Sequence, residues 1–551
     1  MPFVGNRADM PPIRERIFRK DNGSMTDVKQ THSQQGQPEG LDKIAPAHGE
    51  ATGNGFSRRG FIRSGSALLA TGLAASAAGA KSLAAAKAQG KGQSKGPKRR
   101  PDVLVIGAGL SGLHAALLLE EMGADVQVLE GRQRSGGRVY TLMDVPGRPE
   151  AAGELIGGNY ARMIDRAESL GMKIIPARGS NIKREWLFNI RGETIREAEW
   201  PDHKLNPLVG DDRKILPNAM LPILSNKDNP LADLPLDAWL SPELAHLDIP
   251  HSDYLRARGL SDEAIRLMDV VIHTGRIDTT SALHELRRYN VGNFNTKLSK
   301  DKRQPEALMI EGGNSRLPAA MVDALQKPVL FGKTVVSISE RGDHVEVGCA
   351  DGTRYEAKQV VCSAPFKILR NIVFDPPIKG EHWRAIEEVD YGLSLQVFFK
   401  YLKPWWPHAD SPRSLWTDTP IERFASLEWG VAEGQMPNVG LAFINGEQAL
   451  KFSFMSDRQV FDWTMKTLAE VLPATRGALE PITIQACHRD PHGSGDWVYW
   501  QPGQIKRFAP LMRDRHGRTH FCGEHTAILE RGMEGAFESG ERVALEVVEL
   551  L

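Results

Sequence analysis

The stretch Asp102-Val-Leu-Val-Ile106-Gly107-Ala-Gly109-Leu110-Ser111-Gly112 decides the fold. Its first five residues form a short apolar run, the shape of a strand buried in a parallel sheet. The glycines follow at once. An apolar helical pattern then runs through Leu113, Ala116, Leu117 and Leu119 to Met122 and is stopped by Gly123. A second strand, Asp125-Val-Gln-Val-Leu129, ends at Glu130. The three glycines do different physical work. Gly107 makes a tight turn, Gly109 lets the backbone approach a pyrophosphate, and Gly112 lets the helix pack close to the strand. Leu110 and Ser111 open the helix, where free N–H groups and the dipole favour a diphosphate. Glu130, 18 residues after Gly112, is placed for ribose hydroxyls, and an acid there disfavours a 2′-phosphate. Strand, fingerprint, helix, strand and acid in this order predict an α/β dinucleotide-binding domain.

Working outward, 551 residues suggest about two to four domains. Hydrophobic residues at 41% and charged residues at 25% exclude a collagen-like, disordered or disulfide-framework chain. Lys+Arg and Asp+Glu are both 69, but residues 1–100 hold 17 basic and 7 acidic ones, which leaves the rest at a net −10. An acidic body argues against nucleic acid as partner. Cys349, Cys362, Cys487 and Cys522 have no metal-ligand spacing, so no metal site is expected.

The first hundred residues read as an address. Residues 1–56 are polar and predicted disordered. Ser57-Arg58-Arg59-Gly60-Phe61-Ile62-Arg63, with the Ala/Gly/Ser/Leu run from Ser64 to Ala80, resembles a twin-arginine (Tat) export signal. That run is too short and too rich in small residues for a stable membrane span. Cleavage fits after Ala78-Gly79-Ala80 or among Ala84–Ala86, and Met25 is an alternative start. Residues 81–100 form a basic linker. The Tat machinery carries folded proteins, often already loaded with a cofactor. The expectation is a periplasmic or secreted protein.

Three further motifs narrow the cofactor. Glu130-Gly-Arg132-Gln-Arg134-Ser-Gly136-Gly137-Arg138-Val-Tyr-Thr141 resembles the second motif of the flavin amine oxidase family. Glu150-Ala-Ala-Gly153-Glu154-Leu-Ile156-Gly157 is similar to the family's next segment. Near the other end, Gly523-Glu524 and Gly532-Met533-Glu534-Gly535-Ala536 resemble its closing motif, with Met533 at a helix start facing the flavin. Glu311-Gly312-Gly313, Thr334-Val335-Val336, Val360–Pro365, Asp375-Pro376-Pro377, Tyr391-Gly392 and Pro404-Trp405-Trp406 fall between them in family-like order, and Val335 would touch the adenine. The resemblance covers roughly residues 101–551. It implies an α/β fold: a Rossmann-like FAD domain of the glutathione-reductase type (101–180, 306–380 and 481–551) with a discontinuous α+β substrate domain (181–305 and 381–480). It also implies FAD-dependent oxidation of an amine C–N bond to an imine, followed by hydrolysis to a carbonyl and ammonia or an amine. Oxygen or a periplasmic carrier would accept the electrons. The alternatives are an L-amino acid oxidase or related flavin monooxygenase, and a flavin-loaded redox or binding protein without amine turnover.

Where the substrate pocket should lie, the chain departs from its relatives. Many have Thr-Lys-Val after the motif that matches Tyr391-Gly392; here Leu395-Gln396-Val397 stands there, so Gln396 replaces a lysine held near flavin N5. Monoamine oxidases have a tyrosine where this chain has Gly532. Trp497 or Tyr499 is a candidate wall for an amine. Gln396 and Trp497 are therefore the catalytic candidates. The cysteine that links FAD covalently in some relatives falls near Gly495, and Cys487 and Cys522 are out of register, so FAD should be non-covalent. L-amino acid oxidases carry a carboxylate-binding arginine where Glu154-Leu155-Ile156 stands, which would leave Arg276 or Arg316 to be recruited. His273 is a pocket candidate, with a core role as the alternative.

Overall fold

The computed structural model describes residues 100–177, 185–298, 307–406, 408, 411–427, 439–493 and 495–551. The leader, the twin-arginine motif and nearly all of the basic linker lie outside the described residues. In chain order, the elements that position the site are β1 (Val103–Ile106), α1 (Leu110–Glu121), β2 (Val126–Leu129), β3 (Gln359–Cys362), β4 (Ser394–Tyr401), β5 (Arg423–Leu427), β6 (Val439–Asn445), β7 (Thr519–Phe521) and α2 (Gly532–Val548).

Four of the strands form a parallel sheet in the order β2-β1-β3-β7. Every residue of β1, β3 and β7 is buried, as expected for a parallel sheet covered on both faces. Its strands come from residues 103–129, 359–362 and 519–521, so the sheet closes only when distant parts of the chain meet. Helix α1 is buried nearly all round and has no amphipathic stripe, because it lies between the sheet and α2. Two glycines permit that packing. A Cβ on Gly112 would collide with the Gly107 carbonyl oxygen, and one on Gly540 of α2 would stand 2.6 Å from that of Ser111.

A seven-stranded mixed sheet roofs the site, in the order Leu479–Gln485, β4, β6, β5, Ser414–Thr417, Trp186–Ile190, Glu193–Arg196. It runs across residue 480. Its register places Gln396, Phe443 and Arg423 in one row across β4, β6 and β5. Side chains alternate between faces along a strand. Leu395, Val397, Ala442, Ile444 and Phe424 therefore pack into an apolar core on one face. Ser394, Gln396, Leu441, Phe443, Arg423, Ala425 and Leu427 point the other way and line a cavity. Helices at Pro217–Asn226, His251–Ala257, Asp262–Asp269 and Ala282–Leu298 complete the α+β half, around a core that includes Met220, Leu255, Leu267 and Leu286. Among the described residues no helix is long and apolar enough to cross a membrane.

Candidate active site

A cavity of about 720 Å³ is lined from both sheets. The parallel sheet contributes the carboxyl ends of its strands through Ile106, Gly107, Leu129, Glu130 and Ser363, where open α/β sheets take their ligands. Of the cofactor candidates, Gly107, Gly109, Leu110, Ser111, Glu130, Arg132, Gly137, Arg138, Val335, Glu524 and Met533 line the cavity. Gly112 and Gly523 do not. Gly112 serves helix packing, and Gly523, at φ +131, donates its N–H to Ser539 Oγ at 2.9 Å.

The dinucleotide end is held by side chains that grip backbone. Glu130 accepts the Ala108 N–H at 2.7 Å and the Arg132 N–H at 2.8 Å, which ties β2 to the glycine turn. Arg132 donates through Nε to Asp490 at 2.9 Å. Arg138 donates to Glu524 Oε1 and to the Asp496 carbonyl, both at 2.8 Å. The same Glu524 oxygen accepts the Val498 N–H at 3.0 Å, so one carboxylate joins the Gly-Gly-Arg motif, the Trp497 segment and the closing motif. Lys333 also lines this end and pairs with Asp351 at 2.6 Å; nothing in the sequence singled it out.

FAD fits these residues. A Cβ on Gly109 would meet nothing within 4 Å, so the missing side chain leaves open space over the turn. Neither α1 nor α2 has a side-chain cap on its N-terminus, and Leu110, Ser111, Met533 and Ala536 of their opening turns face the cavity. Two sets of helix N–H groups and two dipoles are thus available to anionic or electron-rich parts of a dinucleotide. Cys487 does line the wall, but burial first and Asp496 second push its thiol up. It stays protonated and is a poor nucleophile.

The roof end is built differently. Gln396 is buried and its Oε1 has no hydrogen-bond partner among the described residues. Trp497 lines the cavity with its ring 5.5 Å from that of His273, which also meets Phe443 edge-on at 5.8 Å. Tyr499 is buried away from the cavity, where its hydroxyl would sit 2.8 Å from a Cβ on Gly275. His273 is part of a chain of hydrogen bonds. Glu422 accepts from the Asn445 backbone N–H at 2.7 Å and from Asn445 Nδ2 at 2.5 Å. Asn445 Oδ1 lies 2.9 Å from His273 Nδ1. Because the Asn445 amide group donates to Glu422, its oxygen must accept from His273 Nδ1–H. That fixes the tautomer and leaves Nε2 with a lone pair. Burial and the charges of Arg423 and Arg288 hold His273 well below its ordinary value, so it is neutral. Gly392 makes room for this residue, since a Cβ there would collide with the His273 carbonyl oxygen.

Arg276 and Arg316 lie away from the cavity. Arg276 is exposed and pairs with Asp278 at 3.0 Å, and Arg316 donates to the Glu311 carbonyl. Arg288, Arg423 and Arg531 line the cavity instead, and no sequence motif pointed to any of the three.

Comparison with known proteins agrees with this geometry. The family described as flavin containing amine oxidoreductase matches residues 110–548. Flavin-containing amine oxidase B of Bos taurus is 25% identical over 458 residues, covering 81% of this chain and 86% of the relative. Flavin-containing amine oxidase A of Equus caballus is 25% identical over 465 residues, covering 82% and 85%. Among solved structures, cyclohexylamine oxidase from Brevibacterium oxydans IH-35A superposes with a TM-score of 0.66 at 21% identity, over 82% of this chain and 99% of that one. Wild-type putrescine oxidase bound to putrescine gives 0.66 at 20% identity, over 82% and 100%. With a family match over most of its length and a cavity built for FAD without a covalent link, this chain belongs to the flavin-containing amine oxidoreductase family and is an FAD-dependent amine oxidase.

Proposed function

We propose that the neutral form of a small-molecule amine binds under the roof sheet between Trp497, Gln396 and His273, and is oxidised there to an imine that water hydrolyses. The bound FAD supplies the two-electron acceptor for the hydride equivalent that leaves the substrate Cα. The protein's share is binding, orientation and removal of water. His273 Nε2, kept neutral by its surroundings, and Gln396 Oε1 are two acceptors for amine N–H bonds that orient the nitrogen. Trp497 and Phe443 supply apolar surface for the rest of the molecule. Gly107, Gly109, Leu110, Ser111, Glu130, Arg132, Gly137, Arg138, Val335, Glu524 and Met533 hold the FAD, with Gly112 and Gly523 shaping the backbone behind them. Residues 101–180, 306–380 and 481–551 then act as the FAD-binding unit, and 181–305 with 381–480 as the substrate unit.

One observation carries this reading: two helix N-termini without side-chain caps open on the same cavity as Gln396 Oε1, a buried acceptor with no hydrogen-bond partner among the described residues. Anaerobic mixing of the holoenzyme with a panel of amines tests it. At least one amine should bleach the flavin and yield the matching carbonyl product. A panel that leaves the flavin yellow would favour a redox or binding role without amine turnover.

The setting we propose is extracytoplasmic. Arg58-Arg59 before Phe61 and an alanine-rich run supports export by the twin-arginine machinery, and a periplasmic carrier then competes with oxygen as electron acceptor. Replacing both arginines by lysine should leave the protein in the cytoplasm; unchanged periplasmic recovery would refute the route.

A further inference from the structure

The cavity is asymmetric in charge. Four carboxylates line it, and three of them, Glu130, Asp496 and Glu524, belong to the dinucleotide end. Glu154 alone faces the roof end among the lining acids, against Arg288, Arg423 and Arg531. Arg288 pairs with Glu285 at 3.2 Å, outside the cavity wall. The guanidinium groups of Arg423 and Arg531 have no hydrogen-bond or ion-pair partner among the described residues, and Arg423 Nε is sealed from solvent without one. The Arg423 guanidinium rests on the Phe443 ring, 4.7 Å from its centre. Burial pulls both groups down first; for Arg423 the charges of Glu422 and Glu154 pull the other way and that of Arg288 adds to the burial, and for Arg531 Arg288 pushes down while Glu285 and Glu524 pull up. The three charges therefore share one volume.

An unpaired guanidinium withdrawn from water is costly unless something completes it. The cofactor does not account for the whole set. Its diphosphate end belongs to the glycine turn and α1, and Arg531, at the N-cap of α2, is near enough to that helix to serve the flavin. Arg423 is on the roof sheet, two strands from Gln396 in the same register row, a separation of about 10 Å between backbones. A group that meets Arg423 is therefore carried by the substrate. The donor set also fits a particular anion. A guanidinium offers two parallel N–H groups to a planar carboxylate, and the rigid strand holds the fork in place.

Resting on the amine-oxidation reading above, we propose that the amine oxidised here also carries a carboxylate, which binds Arg423 in the field of Arg288 and Arg531. The reacting amine lies toward His273 and Gln396, and the acid toward β5. Arg423 is then the residue that sets specificity, and the substrate enters with its charges divided between the two.

Matched pairs test this in the holoenzyme: phenylalanine with phenethylamine, tryptophan with tryptamine, ornithine with putrescine, and 4-aminobutyrate with butylamine. Anaerobic flavin bleaching gives the half-saturating concentration of each. In at least one pair the carboxylate member should half-saturate at a concentration lower by at least tenfold. Arg423→Met should abolish that preference by weakening the acid at least tenfold more than its plain amine. Arg423→Lys, which keeps the charge and loses the fork, should fall between. Benzoate titrated into the oxidised holoenzyme gives a readout free of turnover: it should perturb the flavin spectrum, with a Kd raised at least tenfold by Arg423→Met. If plain amines win every pair and benzoate leaves the spectrum unchanged, the carboxylate is wrong and amine oxidation stands. If no member of any pair bleaches the flavin, it is the amine reading that fails.

Discussion

The two ends of the cavity are made by opposite means. At the dinucleotide end the ligand-facing surface is largely backbone: a glycine turn, two helix N-termini and a Gly-Gly segment. The charged side chains there are already engaged, Glu130 and Glu524 by backbone N–H groups and Arg132, Arg138 and Lys333 by acids. At the roof end the ligand-facing surface is side chain, on a sheet, and Gln396 Oε1 and Arg423 Nε have no hydrogen-bond partner among the described residues. An end whose side chains are satisfied without ligand recognises shape. An end with unmet donors and acceptors recognises chemistry. The first is shared across a family, and the second is where members differ.

The largest effect should come from filling the backbone end. Gly109→Leu adds a side chain where a Cβ meets nothing within 4 Å, so the fold should survive while FAD is excluded. The flavin-to-protein ratio after purification should drop to near zero with the far-UV spectrum intact. Full flavin content would show that the glycine turn is not the seat of the diphosphate.

The next effect belongs to the roof. His273→Phe keeps an aromatic ring against Trp497 and Phe443 but removes the lone pair fixed by Asn445. Flavin content should be unchanged, and substrate reduction should slow by about 10²-fold, about 2.7 kcal/mol, through loss of the acceptor that orients the amine. Equal loss of flavin would blur the division between the two ends.

A smaller change sharpens it. Gln396→Lys restores the cation that relatives hold near flavin N5. A positive charge stabilises the anion formed as oxygen takes up electrons, so reoxidation should quicken by about tenfold or more, at 1.4 kcal/mol per tenfold. Reduction by substrate should change less. Stopped-flow mixing of reduced enzyme with oxygen measures it, and an unchanged rate would mean that Gln396 lies away from the oxygen path.

The smallest effect concerns pH and both ends together. Burial pulls His114, His284 and His525 down to about 3, and His251, His488 and His520 to about 4. Below about pH 6.5 the unfolded chain binds protons that these rings refuse, so stability falls with falling pH. Burial pushes Glu150 and Glu530 up to about 7 and Glu422 to about 8. Rising from about pH 4.5, the unfolded chain releases protons that these acids keep, so they drain stability up to about pH 8. With more histidines than acids involved, the melting temperature should peak near neutrality and decline by a few degrees on either side. Glu422→Gln should flatten the alkaline decline; an unaltered slope would mean that Glu422 is ionised throughout.

The backbone end was legible because spacing rules govern it. A tight turn and a helix start require glycine at fixed intervals, whatever the rest of the chain does, and Glu130 follows from strand length. Lys333 and Asp490 escaped notice because they support the motif from far along the chain. In the roof, Gln396 and Gly532 were visible only as departures from a resembling pattern. Arg288, Arg423 and Arg531 carried no signal, since they sit on a helix, a strand and a loop that no interval connects. Likewise, Glu422, Asn445 and His273 meet only when β5 and β6 pair and the loop before Asp278 reaches them. Tyr499 and Trp497 differ by two residues and looked equivalent; the strand there is only Val498–Tyr499, so Trp497 lies outside its alternation and lines the cavity while Tyr499 is buried away from it.

The parallel sheet also sets a timetable. Its cradle starts at residue 103 and is complete only when β7 and α2, residues 519–548, have been made and docked. Until then α1 lacks the helix that covers it, and the Arg138–Glu524 latch has no second half. A chain that stops short of α2 lacks that cover and that latch, so tight retention of the cofactor, and with it yellow colour, is expected only once synthesis has run through to α2. A cell that moved only folded, cofactor-loaded copies to their place of work would be selecting, by the same criterion, against every unfinished one.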